Sequence, residues 1–439
     1  GPWWFTRSFF SPLIAAVLSL LLLRFLAREA NPRVGFWVVM TAAATPLLTV
    51  GSNLMTIDPL SVLFWSGAMI SGWYAVQRDS TRLWLWTGLW MGFGFLSKYT
   101  ALLQWICWAV FFILWKPSRV QLRRKGLYLA LAINLVCALP VLVWNYQHGW
   151  ITVIHVASDG GWGQAWRPTL RYAFDFIGSE FGLLNPVFFA AAVWAAIAFW
   201  RRHPANPLLV YLFSMGWPLF LFYGLYTLRS RVLPNWIAPS VLPMFCLMVI
   251  YWESRWRAGQ ARVRTWLAVG LTIGMAAVVL LHDTDLVEKI IGRPLPVKLD
   301  PLRRVRAWAE TARVVDEART RLLGEGKPVF IIGDHYGITG ELAFYVPAAK
   351  AGIVTNQWVF YQSSARPDNQ FFFWPGYQRR KGQNAIFVQQ TDQPQPPPAR
   401  LQNEFASVTP CPPDDGMRSV LYHGRVFRRF QLFECRDLR

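Results

Sequence analysis

Cysteine, histidine and acidic side chains are all scarce in this chain. Its 439 residues include 5 Cys, 6 His and 24 Asp or Glu, against 44 Lys or Arg. No Cys/His spacing resembles a metal site, which argues against a structural metal. Cys107, Cys137 and Cys246 fall inside apolar segments and read as small core residues. Only Cys411 and Cys435 could pair, and only if their part of the chain is exported. Charge as a whole is thin, at 15% of residues against 54% hydrophobic. Before about His282 the apolar residues come in blocks of about 16–20 with almost no charge; after it they come in short runs among Arg, Asp and Gln. The deficit of acid leaves a net charge of +20, which suggests nucleic acid at first sight. Much of that charge sits in short loops between apolar blocks, where the positive-inside rule accounts for it with no ligand.

What is abundant is the membrane-length apolar segment. Ten spans are expected, at about 9–27, 34–51, 59–76, 83–97, 99–115, 127–145, 182–200, 207–227, 237–252 and 265–282. The connecting loops fall into two alternating sets that hold 16 and 6 Lys or Arg. The richer set belongs in the cytoplasm. Residues 1–8, Asp58, Lys98, the 146–181 loop, Arg229, Arg231 and everything after 282 are then extracytoplasmic. That topology starts the chain outside without a signal peptide, so an earlier span is expected upstream of Gly1. The expected architecture is a polytopic α-helical membrane domain over 1–282 followed by a small α/β extracytoplasmic domain over 283–439. In the second part, 300–322 keeps helical spacing, 328–332 and 385–388 read as strands, and 340–346 reads as a helix. Segments 419–422 and 426–433 flank His423-Gly424 as a terminal hairpin.

The candidate chemistry lies on the outer face. Asp58-Pro59 suits a helix start, with Asp as N-cap and Pro at the first helical position. A carboxylate there, in a loop without Lys or Arg, can also orient a basic group or an acceptor. Lys98 joins two apolar segments through Ser97-Lys98-Tyr99-Thr100 and is either a snorkelling interfacial lysine or a phosphate ligand. Arg229 and Arg231 sit on the same face against the charge trend, which favours an anionic ligand. The 146–181 loop, with His155, Trp162 and Trp166, suits a sugar or lipid headgroup, or else forms an interfacial aromatic belt. One cavity is expected to hold Asp58, Lys98, His155, Arg229 and Arg231, walled by Tyr99, Trp162, Trp166, Asn235 and Trp236, with Asp58 kept apart from a phosphate bound at Lys98.

Five segments, TIDPLSVLFW, GFGFLSKYTALL, PVLVWNYQHGW, FGLLNPVFF and RVLPNWIAP, resemble in this order the bacterial membrane glycosyltransferases related to protein O-mannosyltransferases and the lipid A aminoarabinose transferase. DHYGITGELAFYV and GQNAIFV are similar to the extracytoplasmic domain that many of these proteins carry. The resemblance implies a C-type glycosyltransferase fold in the bacterial inner membrane. It implies a sugar donor linked to polyprenyl phosphate and a lipid, glycan or protein acceptor, with no obligatory nucleotide, metal or nucleic acid. Asp58 matches the family's second acidic position, Lys98 the basic residue after the following span and, less securely, His155 a histidine of the outer loop. The principal acid of the family is expected upstream of Gly1. A carrier-lipid flippase or a membrane-anchored binding protein remains the rival reading; a flippase would need polar or broken helices at the midplane.

Overall fold

The computed structural model describes residues 9–162, 165, 168–202, 205–352, 356–364, 367–413 and 415–439. The chain divides into two compact units, Gly1–Gly149 with Ala157–Asp283, and Trp150–Val156 with Thr284–Arg439.

The first unit is helical. Its helices are α1 (Phe10–Glu29), α2 (Pro32–Ala43), α3 (Pro46–Asn53), α4 (Ile57–Gln77), α5 (Thr81–Ser97), α6 (Gln104–Leu114) and α7 (Lys125–Gln147). After α8 (Ile151–Asp159) come α9 (Arg171–Leu183), α10 (Pro186–Arg202), α11 (Pro207–Tyr226), α12 (Ala238–Arg257) and α13 (Arg262–His282). Polar residues placed just before the apolar runs start them. The Asn31, Ser80 and Asn206 side chains accept from Val34 N, Leu83 N and Leu208 N, so donors left without an intrahelical partner are satisfied. Among the described residues five segments are long and apolar enough to cross a membrane: α1, α7, α11, Pro234–Arg257 and α13. The number is eight if each of three bent pairs counts as one crossing.

Those bends correct three of the expected continuous spans. The 34–51 segment turns by 76° between α2 and α3, where Pro46 has no N–H to carry the helix on. The 182–200 segment is largely α10, and a turn of 110° around Asn185, whose φ is +70°, sets it off from α9 at its start. The 99–115 segment opens with a 3-10 turn, Tyr99–Leu103, and a bend of 120° follows before Lys116–Arg123. Broken backbone in an apolar surrounding must find polar partners inside the protein. The first two breaks solve this together. The buried Asn185 amide donates to Gly270 O at 2.7 Å and to Ala44 O at 3.3 Å. Gly274 permits the approach, since a Cβ there would lie 2.0 Å from Ala44 O. Elsewhere the core is aromatic, and some of its polar handles are engaged. Trp65 Nε1 donates to Met215 O, Trp84 Nε1 to Gln121 Oε1 and Tyr211 Oη to Met69 O.

The second unit is a six-stranded mixed sheet. Its strands are β1 (Val329–Gly333), β2 (Val359–Tyr361), β3 (Asn384–Gln390), β4 (Phe405–Pro410), β5 (Met417–Tyr422) and β6 (Arg425–Leu438). Their order is β2-β1-β3-β6-β4, with β5 also on β6; β2, β1 and β3 are parallel and the rest antiparallel. β1 is buried along its whole length, as an apolar strand covered on both faces must be. The terminal hairpin forms where expected, with His423 and Gly424 at φ +49° and +73° in the tight turn. The helix expected from 300 starts only at Trp308, because Ala307 sits at φ +63° and breaks the run. The helix expected over 340–346 begins earlier, at Tyr336.

The Cys411–Cys435 pairing that the sequence allowed is not made: both thiols are free and buried. Cys411 packs with Val388, Phe430 and Leu432, whereas Cys435 packs with Phe387 and Phe433. Those are alternate residues of the same strands, so the two sulfurs lie on opposite faces of the sheet.

Candidate active site

Three short pieces of backbone converge at one end of the helical unit. The first is the start of α4. Thr56 is the N-cap, its hydroxyl accepting from Asp58 N at 3.2 Å. Asp58 is therefore not the cap that the Asp-Pro pair suggests but lies within the first turn, and its carboxylate is free for other partners. The second piece is Lys98, extended at φ −154° and ψ 122° between α5 and the Tyr99–Leu103 turn. The third is the turn Pro234–Ile237, which leads into α12 and carries Asn235 and Trp236.

The side chains interlock. Lys98 Nζ donates to Asp58 Oδ1 at 2.7 Å, and Asn235 Nδ2 donates to Asp58 Oδ2 at 2.9 Å. Lys98 Nζ also stands 3.5 Å from Asn235 O. Both carboxylate oxygens are thus engaged. The Lys98 and Asp58 side chains are only 11% and 17% exposed, so their charges are weakly screened. Lys98 turns inward onto a carboxylate, and the snorkelling alternative falls. The expected placing of Asp58 and Lys98 in one site agrees with this direct contact. An ammonium has three N–H donors. One is committed to Asp58, and an anionic oxygen could take another.

The remaining expected residues are placed unevenly. Tyr99 follows Lys98, with its ring 5.2 Å from Phe95, and is 39% exposed. Trp236 adjoins Asn235, and its ring packs 5.6 Å from Tyr223. Trp162 donates through Nε1 to Tyr226 Oη at 3.1 Å, and Tyr226 donates to Gly160 O at 2.6 Å. Arg229 reaches the same turn, its Nη2 donating to Gly161 O at 3.4 Å, while Arg231 is exposed. Arg229 and Trp162 therefore share a second cluster around Gly160–Trp162 rather than the Asp58 cluster. His155 belongs to the stretch Trp150–Val156 that groups with the second unit. Trp166 lies outside the described residues. Among the described residues no group of three or more His, Cys, Asp or Glu side chains stands together as metal ligands would.

Two polar residues escaped the sequence reading. Glu180 in α9 is fully buried, and neither of its carboxylate oxygens has a hydrogen-bond partner among the described residues. An acid within an apolar stretch was the only signal for it. Asn185, the residue that ties the two helix breaks, lay within the FGLLNPVFF segment and an expected continuous span.

Known proteins resemble the chain in sequence and in fold. Residues 6–144 match the family model of the dolichyl-phosphate-mannose-protein mannosyltransferases. A lipid A galacturonosyltransferase of Rhizobium johnstonii, RgtD, is 28% identical over 250 residues, covering 56% of this chain and 52% of that protein. An undecaprenyl phosphate-α-4-amino-4-deoxy-L-arabinose arabinosyl transferase of Pseudomonas aeruginosa is 26% identical over 334 residues, covering 68% of this chain and 58% of that protein. The chain thus spans somewhat more than half the length of these curated relatives. The crystal structure of ArnT from Cupriavidus metallidurans bound to undecaprenyl phosphate shares the fold, with a TM-score of 0.57 at 16% identity over 96% of this chain and 83% of that one. The apo form of the same protein gives 0.56 at 14% identity. In sequence the chain is thus similar to membrane glycosyltransferases over part of its length, and in fold it is like ArnT.

Proposed function

We propose that this protein moves a sugar from a polyprenyl-phosphate carrier to an acceptor on the extracytoplasmic side of a bacterial inner membrane. The observation that carries the reading is the Asp58–Lys98–Asn235 cluster: a largely but not fully buried acid and base in contact at one end of a helical unit. The related galacturonosyltransferase is named for lipid A, so a phosphorylated glycolipid of that type is the proposed acceptor. A carrier phosphate would take a free N–H of Lys98 and leave from the anomeric carbon with its charge stabilised there. Asp58, held on both oxygens, would orient the acceptor hydroxyl or take up its proton as the new bond forms. Arg229, Arg231 and the Trp162 turn would guide the anionic donor, and Tyr99 and Trp236 would flank the sugar. His155 is proposed as a further contact from the outer loop.

We place 1–282 in the membrane and 283–439 outside it. The loop charges of 16 against 6 support that orientation. Counting α4 and α5 as crossings beside the eight gives the ten expected spans; α5 is short at 17 residues. A reporter active only outside the cytoplasm, fused after Arg439, should be active.

The bends at Ala44 and Asn185 are a feature a carrier-lipid flippase would use. Here they close on each other through the Asn185 amide, which favours a static role. The functional test is direct. Membranes containing the full protein are incubated with labelled polyprenyl-phosphate sugars and a lipid A acceptor. Transfer that depends on Lys98 is expected. Equal product from the Lys98→Ala protein would sink the reading, and carrier movement without transfer would favour the flippase.

A further inference from the structure

Away from the Asp58 cluster, the helical unit contains a cavity of about 1130 Å³. It is enclosed by the first half of α2, the start of α10, the C-terminal half of α12 and the N-terminal end of α13. Its wall is mainly apolar and rich in tryptophan, including Trp37, Trp194, Trp252 and Trp256. Trp194 is 62% exposed, so the cavity opens to the outside of the unit, where the surrounding medium is lipid. An apolar recess of this size on a membrane-facing surface does not stay empty, because acyl chains are the solvent there.

Its polar end is specific. Glu253 lines the cavity and is 4% exposed. One carboxylate oxygen, Oε2, accepts from Arg257 Nε at 3.0 Å and from Asn31 Nδ2 at 3.4 Å. The other, Oε1, has no partner among the described residues. A buried carboxylate oxygen left without a donor is costly. Trp37, also on the wall, has an indole N–H likewise without an acceptor among the described residues. Arg262 also lines the cavity and brings a guanidinium, a good partner for phosphate. Along the wall, then, an acceptor lacks a donor and a donor lacks an acceptor among the described residues, a guanidinium is present, and most of the rest is apolar.

We infer that this cavity is a phospholipid site selective for an ethanolamine headgroup. The ammonium donates to Glu253 Oε1, the phosphate faces Arg262, an ester or phosphate oxygen accepts from Trp37, and the acyl chains lie along the tryptophan wall. Of the ethanolamine, choline and glycerol headgroups, only ethanolamine fits in full. Glycerol has no cation for Glu253, and choline carries its charge without an N–H. The inference concerns binding alone and stands whether or not sugar transfer is confirmed.

The test uses the full chain in nanodiscs containing equal parts of phosphatidylethanolamine, phosphatidylcholine and phosphatidylglycerol with identical acyl chains. Native mass spectrometry after partial delipidation reads which lipid is retained. Roughly tenfold enrichment of the ethanolamine lipid is expected, the size of one charge-assisted hydrogen bond. Glu253→Gln keeps an oxygen for Arg257 and Asn31 but loses the charge, and should remove the enrichment. Trp194→Ala, at an exposed position, should lower total retained lipid while leaving the headgroup preference. Equal retention of the three lipids by the unaltered protein overturns the inference, as does a preference that survives Glu253→Gln.

Discussion

The Asp58–Lys98 pair gives the sharpest test of the site. At 2.7 Å the gross attraction of two unit charges is about 6 kcal/mol for an effective dielectric of ~20, and about 1.5 kcal/mol in bulk water. The side chains are 11% and 17% exposed, so the true environment lies between these limits, and desolvation of both charges offsets much of the gain. A net coupling of roughly 1–3 kcal/mol follows, in the range found for contacting partners. The experiment is a double-mutant cycle of Asp58→Asn and Lys98→Met, read as unfolding of the detergent-solubilised full chain. Lys98→Met alone should cost about 2–4 kcal/mol, because the Asp58 carboxylate is left with the neutral Asn235 donor only. Asp58→Asn should cost less, since the flexible Lys98 ammonium can reorient towards water. The double variant should recover part of the loss. Strictly additive effects would refute the view that the two charges act as a unit. In the transfer assay, Lys98→Met should lower turnover by about two to three orders of magnitude, and Lys98→Arg should restore only part of it.

Other outcomes follow from the same geometry. Asn185→Ala should destabilise the helical unit by about 2–4 kcal/mol, since two buried carbonyls lose their donor and a non-glycine residue without a compensating hydrogen bond must hold φ +70°; unchanged thermal unfolding would refute the pinning role. Gly274→Ala should be similarly damaging, by about 1–3 kcal/mol, because its methyl would meet the Ala44 carbonyl. In the second unit, burial pushes the Asp334 carboxyl up to about 6. The folded state then holds that proton more tightly than the unfolded chain. Stability should be highest at acid pH, fall as pH rises from about 4 to about 6, and level off above. Asp334→Asn should abolish that fall and be more stable at pH 8 by roughly 1–3 kcal/mol; an unchanged pH profile would refute the assignment. Cys411, whose thiol burial raises to about 12, and Cys435 should resist alkylation at pH 8 until the protein is denatured.

The sequence by itself determined the features that depend on local composition. Long charge-poor blocks can only be spans or buried helices, so the division near His282 was legible without coordinates. The short segments flanking His423-Gly424 located the hairpin. The meeting of Asp58 and Lys98 at one face also followed from counting spans between them. Tertiary structure alone decided what those residues do to each other. Asp58 is relieved of capping by Thr56, a neighbour that the Asp-Pro pair overshadowed. The sequence reading placed Asn235 near the site, but its bond to Asp58 comes from 177 positions away, and no local pattern encodes such a contact. Cys411 and Cys435 are close along the chain yet on opposite faces, because strand register assigns alternate residues to alternate sides. The bends at Ala44 and Asn185 were invisible for a related reason. Hydropathy measures how apolar a segment is, whereas its straightness depends on whether a distant amide can satisfy the carbonyls that a bend exposes.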